Sequence, residues 1–246
     1  MLMTFILMVW VSPSHAVDLR MDNDNVTISA SQTVNDTLVF FGESITVDGT
    51  ITGDLVAFAQ QITVRGVVEG SIFSFAQRIE LTGRVDGNVL GFGHTIRVDG
   101  ETAGNLYAGA QAITVGEDGR VRGNVVFGAQ DGIINGTVGR DLAVGARSLD
   151  IAGSVGRKVL FGGESLTVQA PADIGGDLEA HMGEENNFAI DPAATILGAT
   201  RLELSDFEAN RYRTIAFYFG WVSRLAAAFV AGLALFWIFP PAGRIR

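Results

Sequence analysis

The feature that most constrains this chain is self-similarity at a spacing of 17 residues. The stretches Ile45-Thr-Val-Asp-Gly49, Ile62-Thr-Val-Arg-Gly66, Ile79-Glu-Leu-Thr-Gly83 and Ile96-Arg-Val-Asp-Gly100 each begin 17 residues after the last. The frame extends back to Ile28 and forward to Ile113, Gly132, Leu149 and Leu166 in steps of 17 or 19, with a weaker copy near Phe188. With the isoleucine as place 1, apolar residues fall at places 1, 3, 7, 11 and 13, as in Ile45, Val47, Ile51, Leu55 and Ala57. Glycine recurs at place 5 (Gly49, Gly66, Gly83, Gly100, Gly136, Gly153) and often at place 9 (Gly53, Gly70, Gly87, Gly104, Gly123, Gly176). Alternation of period two, broken by glycine at fixed places, means short strands joined by corners.

One such unit cannot bury its own apolar face, but stacked units can. The expected fold is therefore all-β, a β-helix over residues 28–204 with nine to ten coils of 17 residues. Nine full turns at a strand spacing of about 4.8 Å make a rod of roughly 40 Å. Ile28, Ile45, Ile62, Ile79, Ile96 and Ile113 are expected to form one core ladder. Val34, Ile51, Val68 and Val85 form another, interrupted at Thr102 and resumed by Val121, Val138 and Val155. Left-handed hexapeptide solenoids use 18 residues per turn with an apolar place every six. The 17-residue step and the missing sixfold place favour right-handed winding. The two-residue additions at Gly116–Gly119 and Ala170–Asp173 fall at a corner, where a stacked solenoid tolerates them.

Glycine is abundant (31) and proline scarce (5) with no collagen triplet, so glycine is expected to serve many turns. The 17 basic residues against 27 acidic ones, with Lys158 the only lysine, argue against a nucleic-acid partner. Cysteine is absent, which removes disulfides, thiol nucleophiles and cysteine-based zinc sites.

Both ends are apolar. Residues 1–16 resemble a secretory signal, with a short apolar core, Pro13 and a small residue, Ala16, before a cut, although a positive n-region is missing. Residues 17–27 read as a solvated leader and 205–213 as a linker. Residues 214–239 are long enough to span a bilayer as a C-terminal transmembrane α-helix, with Arg224 inside and Pro240-Pro241 ending it before a 240–246 tail. The expected location is a membrane, with the β-helix extracytoplasmic, at the periplasm or cell surface.

Chemistry-bearing residues are sparse. Asn88, Asn105 and Asn124 share place 10 with Asp54, Asp141 and Asp177, either as a polar line gripping a ligand or as an amide ladder capping the corner after glycine. His94 and His181 lie in different turns without carboxylates at ligand spacing. Asp22-Asn23-Asp24-Asn25 lacks the loop and distal glutamate of a calcium site. The turns are too short to wall a groove, and no carboxylate pair stands out for glycoside hydrolysis. No enzyme activity, catalytic residue, metal or cofactor is expected.

The third strand of each unit is unusual. Place 12 reads Val39, Val56, Phe73, Leu90, Tyr107, Val126, Ala143, Leu160, and place 14 reads Phe41, Phe58, Phe75, Phe92, Gly109, Gly128, Gly145, Gly162. One account bends the strand so that place 14 turns inward and its rings become core. Phe127 and Phe161, which appear at place 13 once place 14 is glycine, fit such an exchange of volume. The other account leaves Phe41, Phe58, Phe75, Phe92, Phe73 and Tyr107 as an exposed apolar stripe for self-association, a partner or the membrane.

The runs Ile113-Thr-Val-Gly-Glu-Asp-Gly-Arg-Val-Arg-Gly-Asn-Val125 and Gly49-Thr-Ile-Thr-Gly-Asp-Leu55 resemble the signature of bactofilins, polymer-forming bacterial cytoskeletal proteins. The resemblance covers about residues 28–198. It implies a right-handed β-helix that joins end to end into filaments without nucleotide, often at the membrane. Typical members are cytosolic with polar tails, whereas this chain has apolar ends and a more aromatic third side. The expectation is thus a non-catalytic, membrane-anchored, self-associating scaffold of the bacterial envelope (a homo-oligomer or filament, with an envelope protein or glycan as a further partner). The alternative is a carbohydrate-binding or adhesion rod at the cell surface.

Overall fold

A computed structural model describes residues 17–20, 24–184 and 187–204 of the chain. Every regular element in these residues is a strand, and strands pair in parallel with the corresponding strand of the next coil. The result is a parallel β-solenoid of about ten coils. A ten-stranded sheet carries one side, and a fifteen-stranded sheet wraps the other two. No helix among the described residues is long and apolar enough to cross a membrane. Residues 1–16, 205–213, 214–239 and 240–246, expected to be signal, linker, membrane helix and tail, lie outside the described residues.

The register follows from burial. Ile62 pairs with Ile79 and Ile79 with Ile96, with all three fully buried. Ile96 pairs with Ile113, which pairs with Gly132. On the ten-stranded side Val34, Ile51, Val68, Val85, Thr102 and Val121 stack in turn. Like side chains thus superpose along a dry column.

The first coil departs from the expected frame. Val26, not Ile28, pairs with Ile45, while Ile28 pairs with Val47 on the neighbouring ladder. A turn at Ser29–Gln32, closed by the Gln32 N–H donating to the Ser29 carbonyl at 2.8 Å, adds two residues at this corner. The same i→i+3 turn closes Gly116–Gly119 at 2.9 Å, Gln169–Ala172 at 2.8 Å and Asp191–Ala194 at 2.9 Å, always at one corner. Nor is the leader merely solvated. Asp18–Arg20 pairs with Leu38–Phe40, and Asn25–Ile28 forms the first side of a coil, so the solenoid starts well before residue 28.

Glycine serves the stack more than the turn. None of the described glycines has a positive φ, so their role is not to reach left-handed backbone. A Cβ on Gly66 would sit 2.0 Å from the Gly49 carbonyl oxygen, and one on Gly83 would sit 2.1 Å from that of Gly66. In the 17-residue coils, place 5 lies so close over the preceding coil that no side chain fits there.

Candidate functional site

The third side displays the alternation that decides where its aromatics point. In Leu55–Phe58 and Ile72–Phe75, places 11 and 13 are buried and places 12 and 14 partly exposed. Place 13 carries small residues in the central coils: Ala57, Ser74, Gly91 and Ala108. Buried Ser74 donates from its hydroxyl to the Leu90 carbonyl at 3.4 Å. The strand bends only after place 14, around Ala59, Ala76 and Gly93, before turning into the first side of the next coil. A Cβ on Gly93 would meet the Ala76 carbonyl oxygen at 2.2 Å, so the bend needs a small residue there.

Phe41, Phe58, Phe75 and Phe92 therefore form an outward column outside the buried core. Phe41 and Phe58 stack with centroids 4.8 Å apart and planes 1° from parallel. Phe58 and Phe75 follow at 5.4 Å and 3°, and Phe75 and Phe92 at 4.9 Å and 18°. These separations are close to the interstrand spacing, so the backbone itself sets the stacking. Phe73 meets Phe58 and Phe75 edge-on at 6.2 and 5.2 Å. Tyr107 continues the face and is 38% exposed. The rings cover one another along the rod, and each is only partly exposed.

Phe127 and Phe161 are different: both are fully buried at place 13. Phe127 fills space vacated on the first side. A Cβ on Gly132 would lie 2.8 Å from its Cζ and 2.9 Å from its Cε2. For Phe127 the exchange of volume is with place 1, whereas the Phe161 ring lies over Gly163 at place 15, with Leu166 kept at place 1.

Place 10 is a corner-capping ladder. The Asp54 carboxylate accepts from the Ser71 N–H at 2.7 Å, the Ser71 hydroxyl oxygen from the Asn88 N–H at 3.1 Å, and Asn88 Oδ1 from the Asn105 N–H at 2.9 Å. Asn105 Oδ1 accepts from the Asn124 N–H at 2.8 Å, and Asn124 Oδ1 from the Asp141 N–H at 3.2 Å. Asn105 Nδ2 also donates to Asn88 Oδ1 at 3.0 Å. These side chains satisfy backbone donors that no sheet reaches, which occupies the atoms a ligand would use.

The histidines are five coils apart. His94 borders a shallow concavity of about 510 Å³ lined by Gln60, Gln61, Gln77, Arg78 and Thr95. His181 Nδ1 lies 3.0 Å from Glu203 Oε2. No group of three metal-ligating side chains occurs among the described residues. Charge is spent in surface pairs. Hydrogen bonds from Lys158, then Arg201, hold the Glu179 carboxyl below the usual carboxylate range. Ser148 and Arg147 do the same for Asp131, and Arg65 for Asp48. Asp24 of the acidic leader uses its backbone carbonyl to accept from the Glu43 and Ser44 N–H groups.

The arrangement thus offers an extended apolar flank and no assembled reaction centre among the described residues. Comparison with known proteins gives no match to a family model, to a curated protein or to a solved structure.

Proposed function

We propose that this chain is a non-catalytic scaffold that associates with itself through its β-helix, held at a membrane by residues 214–239 after export directed by residues 1–16. In this reading the winding is right-handed and the protein is a membrane-anchored relative of the bactofilins in the bacterial envelope, as the recurring Gly-x-Val-x-Gly-Asn/Asp pattern implies. The observation that carries the reading is the outward column of Phe41, Phe58, Phe75 and Phe92, four large rings on the outside of a rod whose core is already complete. The partly exposed Phe41, Phe58 and Phe75, with exposed Tyr107 beyond them, leave apolar area in water, which a protein partner would bury. A glycan-binding or adhesion rod is the alternative. The stack speaks against it, because each ring spends its face on the next ring instead of offering it to a sugar.

The test compares the full chain in detergent with a Phe58→Ser, Phe75→Ser variant by light scattering and far-UV circular dichroism. The expected result is smaller assemblies with unchanged β-content. Loss of β-content would show that the rings act as core, and unchanged assembly size would remove the association surface.

A further inference from the structure

The corner ladder at place 10 has one missing link. Elsewhere a side-chain oxygen of one coil accepts the place-10 N–H of the next. Besides the links from Asp54 to Asp141, Thr37 Oγ1 accepts from the Asp54 N–H at 3.4 Å, Asp141 Oδ1 from the Lys158 N–H at 3.2 Å, and Asp177 Oδ1 from the Ala199 N–H at 2.8 Å. Between Lys158 and Asp177 the ladder stops, because a lysine side chain has donors and no acceptor. Among the described residues no acceptor meets the Asp177 N–H. The Gly176 N–H is in the same state. At place 9 of earlier coils, by contrast, Gly70, Gly87, Gly104 and Gly123 each donate to the carbonyl one coil back, at 3.1, 2.9, 3.1 and 3.0 Å.

The break coincides with a concentration of cations. Gly176 and Asp177 border a concavity of about 510 Å³ with Asp141, Arg157, Lys158 and Gly175. Gly176 lies close under Arg157, since a Cβ there would sit 2.8 Å from the Arg157 carbonyl carbon. Arg140, exposed and one coil further back at place 9, has no ion pair among the described residues. The two carboxylates at the rim are already engaged. Asp141 Oδ1 caps Lys158 and lies 3.5 Å from Arg157 Nε, and Asp177 Oδ1 caps Ala199. Lys158 also meets Glu179, which Arg201 holds from the other side at 3.1 Å.

We infer that this concavity binds a phosphoryl group. One phosphoryl oxygen stands where the capping oxygen stands in the other links and accepts from the Asp177 N–H. The remaining oxygens accept from the Gly176 N–H, the Arg157 guanidinium and the Lys158 ammonium. Lysine has three donors and arginine five, so both keep their carboxylate partners while they serve the ligand. Oxygens that leave phosphorus in three directions suit donors arriving from two coils better than the two oxygens of a planar carboxylate do, and each contact is charge-assisted or made to a backbone N–H without another acceptor. Binding here does not depend on self-association.

The test titrates inorganic phosphate, at constant ionic strength, into the ¹⁵N-labelled full chain in a non-ionic detergent. The Gly176 and Asp177 amides should shift and saturate, while those of Gly70 and Ser71, whose N–H groups have acceptors, stay in place. Lys158→Asn supplies the acceptor found at Asn88, Asn105 and Asn124. It should weaken phosphate binding by at least about tenfold and slow hydrogen exchange of the Asp177 amide by about tenfold as the ladder closes. Arg157→Gln should weaken binding by about fivefold and leave that exchange rate unchanged. Far-UV circular dichroism checks β-content, and if Lys158→Asn loses it, the parent shifts and Arg157→Gln decide. Glycerol 3-phosphate bound as well as phosphate means a phosphate ester carried by a larger molecule. Glycerol 3-phosphate bound much more weakly means free phosphate, and both outcomes support the site. Unmoved Gly176 and Asp177 amides at about 20 mM phosphate, an equal response to acetate, or a folded Lys158→Asn or Arg157→Gln variant that binds phosphate as well as the parent would each overturn it.

Discussion

Phe127 and Gly132 are coupled through space that only one of them can fill. Phe127 is fully buried, so Phe127→Ala removes a complete core ring, which costs about 3–5 kcal/mol. At about 2–4 °C per kcal/mol for a chain of this size, the melting temperature falls by roughly 6–20 °C. Gly132→Ile alone drives a Cβ to within 2.8 Å of the Phe127 ring and 3.1 Å of Leu149 Cδ1, an overpacking that costs about 1–3 kcal/mol. The double variant recreates the pair found in other coils, Ala57 with Ile62 and Ala108 with Ile113. The φ of Gly132 is not positive, so isoleucine is acceptable to the backbone. The double variant should cost less than about 1.5 kcal/mol, which makes the coupling at least about 2.5 kcal/mol, near the top of the range for touching residues. The assay is thermal and urea unfolding of all four proteins, followed by far-UV circular dichroism. If the double variant loses the sum of the two single losses to within about 0.5 kcal/mol, the ring does not occupy the space above Gly132 and the exchange of volume is refuted.

Three further outcomes are expected. Gly83→Ala pushes a Cβ to 2.1 Å from the Gly66 carbonyl oxygen and should cost more than about 2 kcal/mol. Gly91→Ala meets only side-chain atoms, the tip of Ile96 at 3.3 Å and then Ile79 and Ser74 at 3.5 Å, and should stay within about 1 kcal/mol of the parent, so equal urea midpoints for the two would contradict the close-stacking account. Asn105→Ala removes the acceptor of the Asn124 N–H and should cost about 1–2 kcal/mol, whereas Asn105→Asp keeps that acceptor and should cost less; the reverse order in urea titrations would discount the corner ladder. Asp48, Asp131 and Glu179 are held below the usual carboxylate range in the folded chain. The unfolded chain therefore binds their protons at higher pH, and their contributions are complete at neutral pH and lost as pH falls through about 4 and below. A urea midpoint that holds level or rises between pH 7 and pH 3 would speak against these pairs.

Most of the stack was legible because the 17-residue period ties each coil to the next, and the inward parity of Ile62, Ile79 and Ile96 follows from alternation alone. The first coil was misframed for a reason built into strands. A slip of two residues preserves the inward face, so Ile28 and Val26 satisfy the pattern equally well. Only the turn at Ser29–Gln32 decides between them, and its sequence carries no glycine or proline to mark it. Glycine at place 5 was visible, but its reason was not, since a corner and a close overlap of coils both select glycine. The direction of the Phe41–Phe92 column hinged on where the bend falls. The small residues Ala59, Ala76 and Gly93 at place 15 were the available signal, because they put the bend after the rings. The partnership of Phe127 with Gly132 required knowing that places 13 and 1 face each other across the interior, which a linear repeat does not state.

Parallel pairing of every coil with its neighbour has a mechanical consequence. The interstrand hydrogen bonds lie along the rod, so tension between its two ends loads successive coils in series. Such a load is met by one coil's bonds at a time, and detaching a coil frees 17 residues, about 58 Å of extended chain. Under pull the molecule should pay out one coil at a time from an end, like line from a spool, while a force across the rod meets all its coils together.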